Sequence, residues 1–107
     1  QALRERRRSA RRSGTVMLDI VISNKCKKDL RRAKKRGLDL NDFFAVVEML
    51  QRRETLPVRY RDHALTANRT GLRDCHIRPD WVLIYEIRET ELVLLLVETG
   101  SHADLDL

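Results

Sequence analysis

The sequence predicts a single α/β domain of the α+β type, with its helices early, its antiparallel sheet late and the order β-α-α-β-β-β. Two segments between residues 24 and 51 carry apolar residues at helical spacing. Beyond residue 71 the apolar residues instead follow strand patterns, with a turn at 78–80 between two of the strands. The length of 107 residues is enough for one hydrophobic core.

The first predicted helix is strongly basic and has one narrow apolar face. A short strand at 18–22 leads to Ser23 or Asn24, either of which can cap the helix, and Gly37 ends it. The apolar stripe consists of Cys26, Leu30 and Ala33. The rest of the surface carries Lys27, Lys28, Arg31, Lys34 and Lys35. We expect this helix to pack through its stripe and to expose a basic surface that attracts phosphate.

The second predicted helix is more apolar. It begins at an Asp39 cap. The residues expected to be buried are Leu40, Phe43, Val47 and Leu50, with Phe44 and Val46 widening the stripe. The segment after it, residues 57–70, has no clear period, and so long an irregular stretch in a small domain is typical of a functional loop.

The strands of the second half place polar residues beside apolar ones. Leu72, Asp74 and His76 share one face of the first strand after Gly71. The turn at 78–80 leads into a strand at 81–87, and residues 92–99 form the last strand. Core packing is expected for Tyr85, whereas Trp81, directly after the turn, could frame a nucleic-acid base.

Charge is distributed unevenly along the chain. The net charge is +6, and residues 1–16 contain six arginines against one acid. That segment lacks apolar periodicity, which predicts a flexible arm ahead of a domain at 17–107. The arm is either a nucleic-acid-binding arm or a tail or upstream start ahead of Met17.

The sequence predicts a cytoplasmic protein with reduced thiols and no membrane association. The longest apolar run, residues 92–97, has the length of a strand and not of a membrane span, and no signal peptide is evident. Cys26 and Cys75 are too far apart in sequence for a CxxC site and too few for a disulfide framework.

Three histidines, His63, His76 and His102, lie near turns or strand ends and are interleaved with Asp62, Asp74 and Asp80. Imidazoles with nearby carboxylates are what acid–base chemistry near neutral pH requires. The alternative is that the histidines are ordinary surface or core residues. A zinc site is disfavoured because spacings of 13 and 26 residues match no usual ligand pattern. The histidines, the basic surface and the irregular segment together suggest RNA as a substrate.

Several fragments, in this order and spacing, resemble the YafQ branch of the RelE toxin superfamily. They are KKDL at 27–30, KKRG at 34–37, YRDH at 60–63, GLRDCHIRPDWVLIY at 71–85 and TGSHADL at 99–105. The resemblance covers residues 17–107. It implies two N-terminal helices packed on a small, curved, mainly antiparallel sheet with an open concave face for RNA.

The resemblance also implies a function. It points to a ribosome-dependent mRNA endonuclease, the toxin of a type II toxin–antitoxin system, that acts in the ribosomal A site without a metal or other cofactor. The implied partners are a cognate antitoxin of the DinJ type, the 70S ribosome and mRNA. The expected products are a 2′,3′-cyclic phosphate or 3′-phosphate and a 5′-hydroxyl.

Carried over position by position, the acid–base residues of the family fall on His63, His76, Asp80 and His102. We expect His102 to be the general acid and His63 or Asp80 the base. The expected substrate-binding residues are Arg61, Asp74, Arg73, Trp81, Lys27, Lys28, Arg31 and Lys35. Arg73 or Arg61 is expected to clamp a phosphate.

The chain departs from the family pattern near its end and in its loop. Asp106 stands where the family usually has an aromatic residue that would stack on the substrate, and Arg69 and Leu72 also occupy positions that are often aromatic. Two alternatives therefore remain. One is a gyrase-directed toxin of the ParE type, which does not need the histidines, and the other is a catalytically weakened member that only binds RNA or the antitoxin.

Overall fold

The structure, a computed structural model, describes residues 16–107. The predicted arm, apart from residue 16, lies outside the described residues. The elements in order are β1 (Asp19–Ile22), α1 (Asn24–Lys35), α2 (Leu40–Gln51), a first 3-10 turn (Val58–Tyr60), β2 (His63–Ala64), a second 3-10 turn (Ala67–Arg69), β3 (Arg73–Arg78), β4 (Trp81–Arg88) and β5 (Val93–Gly100).

These elements form one mixed five-stranded sheet with the strand order β1-β5-β4-β3-β2. The pairs β2/β3, β3/β4 and β4/β5 are antiparallel, and β1 pairs parallel with β5. The predicted fold class is confirmed, and so is the predicted order apart from one added strand. That strand, β2, has two exposed residues, which is too short a segment to produce a recognisable pattern.

The helices begin where the sequence predicts, because polar side chains cap their first backbone N–H groups. Ser23 Oγ accepts a hydrogen bond from the Cys26 N–H at 2.9 Å, and Asp39 Oδ1 accepts one from the Asn41 N–H at 2.9 Å. The predicted stripe of α1 is buried. In α2 the prediction for Phe44 is wrong: this ring is 43% exposed, while its neighbour Phe43 is fully buried.

The two faces of the sheet have different roles. Cys75 and Ile77 of β3 belong to the main core beneath the helices. Their neighbours Asp74 and His76 lie on the opposite face, since successive side chains of a strand alternate. A smaller apolar cluster on that face consists of Val82, Ile84 and Leu105. Acid–base side chains and core side chains are therefore supplied by the same strand.

Trp81 does not frame a base, contrary to the prediction. It is 2% exposed, stacks on Phe43 with ring centroids 6.0 Å apart, and donates its Nε1–H to Thr99 Oγ1 at 3.0 Å. The strand period places Trp81 on the helix side of β4, together with Leu83 and Tyr85, and the adjacent turn does not change that face.

Across residues 16–107, no helix combines the length and the apolar character needed to cross a membrane.

Candidate active site

A cleft of about 770 Å³ opens where β2 stops pairing with β3. β2 pairs only with Arg73 and Asp74, so the later part of β3 contributes His76, Ile77 and Arg78 to the cleft wall. The full lining is Asp42, Ala45, Arg59, Tyr60, Arg61, His76, Ile77, Arg78, Pro79 and His102. Two of the predicted catalytic histidines therefore share one cleft.

His102 and Asp80 form a closely bonded pair. The Asp80 carboxylate accepts a hydrogen bond from the His102 backbone N–H at 2.9 Å, and His102 Nδ1 lies 2.5 Å from the same oxygen. These contacts hold the pKa of Asp80 below its ordinary value, with the backbone hydrogen bond as the largest cause. Asp80 is therefore ionised near neutral pH and holds the proton of His102 on Nδ1, which leaves Nε2 for a substrate.

His76 faces His102 across the cleft. The two ring centroids are 5.0 Å apart and the ring planes are inclined by 71°. Burial lowers the pKa of His76, and the neighbouring Asp74 only partly opposes this shift. His76 is consequently neutral near pH 7 and can accept a proton.

His63 and Asp74 meet where β2 pairs with β3. His63 Nδ1 lies 2.7 Å from the carbonyl oxygen of Arg61 and 3.3 Å from Asp74 Oδ1. A carbonyl can only accept, so Nδ1 carries a proton in this contact. Asp74 Oδ1 is buried and accepts no hydrogen bond within the described part of the chain. Burial raises the pKa of Asp74, and the three histidines around it moderate that shift.

The four predicted catalytic residues thus lie in one neighbourhood: His63, His76 and His102 surround Asp74, and Asp80 is bonded to His102. Only His76 and His102 line the cleft itself. One carboxylate, Asp80, is exposed and has a lowered pKa, whereas the other, Asp74, is buried and has a raised pKa. Pairs of titratable groups whose environments push their pKa values apart are typical of acid–base sites.

The cleft also contains residues that the sequence did not single out. Arg61 was predicted and lines the cleft. Arg59, Tyr60 and Arg78 were not predicted, and the Arg59 guanidinium lies 4.6 Å from the centroid of the Tyr60 ring. For Arg59 and Tyr60 the available signal is the irregular segment at 57–70, and the functional role predicted for that segment stays a prediction.

Arg73 lies in a hydrogen-bond network beside the cleft, and its predicted role in clamping a phosphate stays a prediction. Its Nε donates to Asp62 Oδ1 and to the Tyr85 hydroxyl, both at 3.3 Å, and it is not among the residues that line the cleft. The Tyr85 hydroxyl in turn donates a short hydrogen bond to Asp62. Burial raises the pKa of Tyr85, so its hydroxyl stays protonated. This network fixes Asp62, the residue directly before His63.

The predicted basic contacts Lys27, Lys28, Arg31 and Lys35 are exposed on α1 and do not line the cleft. They form a separate basic surface. Substrate binding by these four residues stays a prediction.

Two of the three departures from the family pattern, Asp106 and Arg69, line a second hollow of about 450 Å³. Asp106 lines it together with Leu65, Arg69 and Leu107. Arg69 donates to the Leu105 carbonyl at 2.6 Å, so it anchors the C-terminal turn. The expected effect of Asp106 on activity stays a prediction.

Neither cysteine is suited to nucleophilic chemistry. Cys26 and Cys75 are free and buried. Burial raises the pKa of Cys26 to about 12 and that of Cys75 still further, so both are thiols and not thiolates. Among the described residues no group of three or more His, Cys, Asp or Glu side chains is arranged to hold a metal ion.

Comparison with known proteins relates the sequence to bacterial toxins. The model of the family described as "Bacterial toxin of type II toxin-antitoxin system, YafQ" matches residues 18–107. The mRNA interferase toxin YafQ of Escherichia coli strain B / BL21-DE3 is 36% identical over 91 residues, which are 84% of this chain and 97% of that relative.

Solved structures show the same relationship. The E. coli DinJ-YafQ toxin-antitoxin complex matches with a TM-score of 0.76 and 36% identity, over 84% of this chain and 98% of that chain. A metal-bound toxin from Helicobacter pylori matches with a TM-score of 0.79 and 40% identity, over 83% of this chain and 99% of that chain. Each likeness spans more than four fifths of the present chain.

Proposed function

The chain belongs to the YafQ family of toxins from type II toxin–antitoxin systems, and on this premise we propose that it is an mRNA interferase that cleaves mRNA on the ribosome. The observation that carries the proposal is the cleft in which His76 faces His102 at 5.0 Å with Asp80 bonded behind His102. A gyrase-directed toxin would have no use for this arrangement.

The proposed reaction is a transesterification within the RNA. His76 Nε2 or Nδ1 takes the proton of the ribose 2′-OH, and the 2′ oxygen attacks the phosphorus. The bond from phosphorus to the 5′ oxygen breaks, and that oxygen takes the proton of His102 Nε2. The products are a 2′,3′-cyclic phosphate and a 5′-hydroxyl.

The two histidines are assigned opposite roles because their surroundings differ. His102 Nδ1 is bonded to the Asp80 carboxylate, which orients the ring so that Nε2 is the atom available to donate a proton. Burial favours neutral His76, which suits a base. Asp80 and His63 both lie outside the cleft lining, and the contacts with His102 lower the pKa of Asp80, so neither of the two bases expected from the sequence is preferred.

Negative charge accumulates on the phosphate as the reaction proceeds. Arg59, Arg61 and Arg78 surround the cleft and can stabilise that charge. Tyr60 offers an aromatic ring on which an RNA base of any identity can stack. Because the chain has few aromatic residues on which bases could stack, the proposal assigns the positioning of the RNA to the ribosome.

The proposed protein partner is an antitoxin of the DinJ kind, because the E. coli relative is solved in complex with DinJ. The exposed lysines and arginine of α1 provide a basic surface for an acidic partner or for RNA. The other proposed partners are the 70S ribosome and its mRNA, and the proposed compartment is the cytoplasm.

The test is induction of the chain in a bacterial host, with mapping of mRNA 5′ ends and analysis of the end groups. We expect growth arrest, new 5′-hydroxyl ends inside coding regions and rescue by the cognate antitoxin. Growth arrest without mRNA cleavage would contradict the proposal and favour a different target. Rapid cleavage of naked RNA by nanomolar purified protein would contradict the dependence on the ribosome.

A further inference from the structure

We propose that Asp29, a buried carboxylate on α1, is a positioning residue for the acid–base pair of the cleft: through Thr99 it fixes the two chain segments that carry His102 and Asp80. The catalytic part of this inference rests on the proposed function. Its structural part does not.

Asp29 is unusual for its element. It is an acid in a helix covered with lysine and arginine, and it is 4% exposed. Lys25 Nζ at 2.7 Å and Arg32 Nη2 at 3.2 Å balance its charge. An exposed acid could neutralise these two cations equally well, so charge balance alone does not explain why Asp29 is buried. Burying a carboxylate costs free energy unless further hydrogen bonds satisfy its oxygens.

The further hydrogen bond comes from β5, at the point where its parallel neighbour ends. β1 pairs with β5 as far as Leu96, and Ser23 then donates its Oγ–H to the Val97 carbonyl at 2.6 Å. Beyond this point no strand formed by residues 16–107 faces that side of β5. The Thr99 N–H donates instead to Asp29 Oδ2 at 3.1 Å, so the carboxylate replaces the missing strand.

Thr99 connects this anchor to the neighbouring strand. It is fully buried, its Oγ1–H donates to the Val82 carbonyl at 2.6 Å, and the same oxygen accepts the Trp81 Nε1–H at 3.0 Å. Asp80 directly precedes Trp81, and His102 follows Thr99 by three residues. The two residues of the His102–Asp80 hydrogen bond therefore lie on chain segments that are joined by the buried hydrogen bonds of Thr99.

A second connection runs through Arg32. This guanidinium contacts Asp29 at 3.2 Å and Asp104 at 3.8 Å. Asp104 accepts the Ser101 N–H at 2.9 Å, which shapes the turn that presents His102. An added Cβ at Gly100 would meet the Asp104 Cβ at 2.8 Å, so the turn leaves no room for a side chain there. Asp29 thus supports the segment around His102 from two directions.

The experiment compares Asp29→Ala, Asp29→Asn and Thr99→Val with the matched helix control Glu48→Gln. Glu48 also pairs with a basic residue four positions away, Arg52 at 3.3 Å, but is exposed on α2. We expect the Asp29 and Thr99 variants to lower the single-turnover cleavage rate on ribosome-bound mRNA about tenfold with the half-saturating concentration unchanged. Thr99→Ser, which keeps the hydroxyl, restores the rate.

A second readout is independent of activity. The rings of His76 and His102 are close enough to give nuclear Overhauser contacts in the wild type at pH 7. We expect these contacts to weaken in folded Asp29→Asn and Thr99→Val and to persist in Glu48→Gln. Asp29→Asn, and Thr99→Val compared with Thr99→Ser, give an answer even if Asp29→Ala fails to fold.

Persistence of the ring contacts in folded Asp29→Asn and Thr99→Val, with cleavage within twofold of the wild type, would overturn the inference. A uniform loss of core contacts in these variants would also overturn it, because that marks Asp29 as a general stabilising residue. A wild type that cleaves no mRNA would refute the proposed function, while the ring contacts would still test the positioning.

Discussion

Replacing His102 with glutamine removes the proposed general acid and leaves the surrounding structure in place. Glutamine has similar length and can still donate a hydrogen bond, but it cannot transfer a proton near neutral pH. The backbone N–H of residue 102 still donates to Asp80, so the turn keeps that anchor. The substitution therefore separates proton transfer from turn geometry.

The expected loss of cleavage rate follows from the proposed role of His102 as a general acid. One positioned acid contributes about 10² to 10⁴ in rate, and 10²-fold corresponds to about 2.7 kcal/mol in the barrier. The His102 side chain is 39% exposed, so its contribution to the free energy of unfolding is small, within about 0.5 kcal/mol. We expect single-turnover cleavage to fall at least about 100-fold while the melting temperature stays nearly constant.

The assay is single-turnover cleavage of mRNA bound in a programmed ribosome, followed by 5′-end analysis. Glu91→Gln, an exposed change in the β4–β5 turn, is the matched control and should cleave like the wild type. Cleavage by His102→Gln within about threefold of the wild type would remove His102 from the mechanism. Loss of folding in this variant would instead make His102 a structural residue.

Further predictions concern the groups around the cleft and the C-terminal turn. Tyr85→Phe removes the hydroxyl that holds Asp62, which costs about 1 kcal/mol and should lower the melting temperature by about 4 to 8 °C. Asp74→Asn should raise the melting temperature at pH 7, because burial raises the folded-state pKa of Asp74 and the buried carboxylate is then ionised at a cost. The contribution of Asp74 to stability is present below its unfolded pKa near 4 and is lost as the pH rises through its folded-state pKa. The difference in melting temperature between the variant and the wild type should therefore vanish in acid. Asp104→Asn should have the opposite sign, because Arg36 holds the pKa of Asp104 well below its usual range. The contribution of Asp104 to stability is fully present above its unfolded pKa near 4 and is lost progressively as pH falls toward and through the lower folded-state pKa. Thermal melts of this variant should therefore be lower than those of the wild type at pH 7, and the difference should narrow as the pH falls below about 4. An unchanged melt of Asp104→Asn at pH 7 would show that its ion pair is fully screened.

Local signals in the sequence predicted much of the framework. The caps at Ser23 and Asp39 and the stripe through Leu30 depend on residues within four positions, and the structure confirms them. Strand alternation likewise placed Asp74 and His76 on one face. These features need only backbone periodicity.

Features that depend on long-range contacts were not predictable in this way. The Asp29 to Thr99 hydrogen bond joins residues 70 positions apart, and the Tyr85 to Asp62 bond joins residues 23 apart. Nothing near Asp29 distinguishes it from an ordinary solvated acid in a basic helix. The prediction for Trp81 is wrong because it depends on the adjacent turn, which suggests exposure, whereas packing against Phe43 buries the ring.

The alternation along β3 couples correct folding to toxicity. A slip of one residue in its pairing would turn Asp74 and His76 toward the helices and Cys75 and Ile77 toward solvent. Such a chain would have two unpaired polar groups in its core and no histidine opposite His102. On the proposed mechanism, a misfolded copy would be both unstable and inactive, so the antitoxin would need to neutralise only chains that have found the native register.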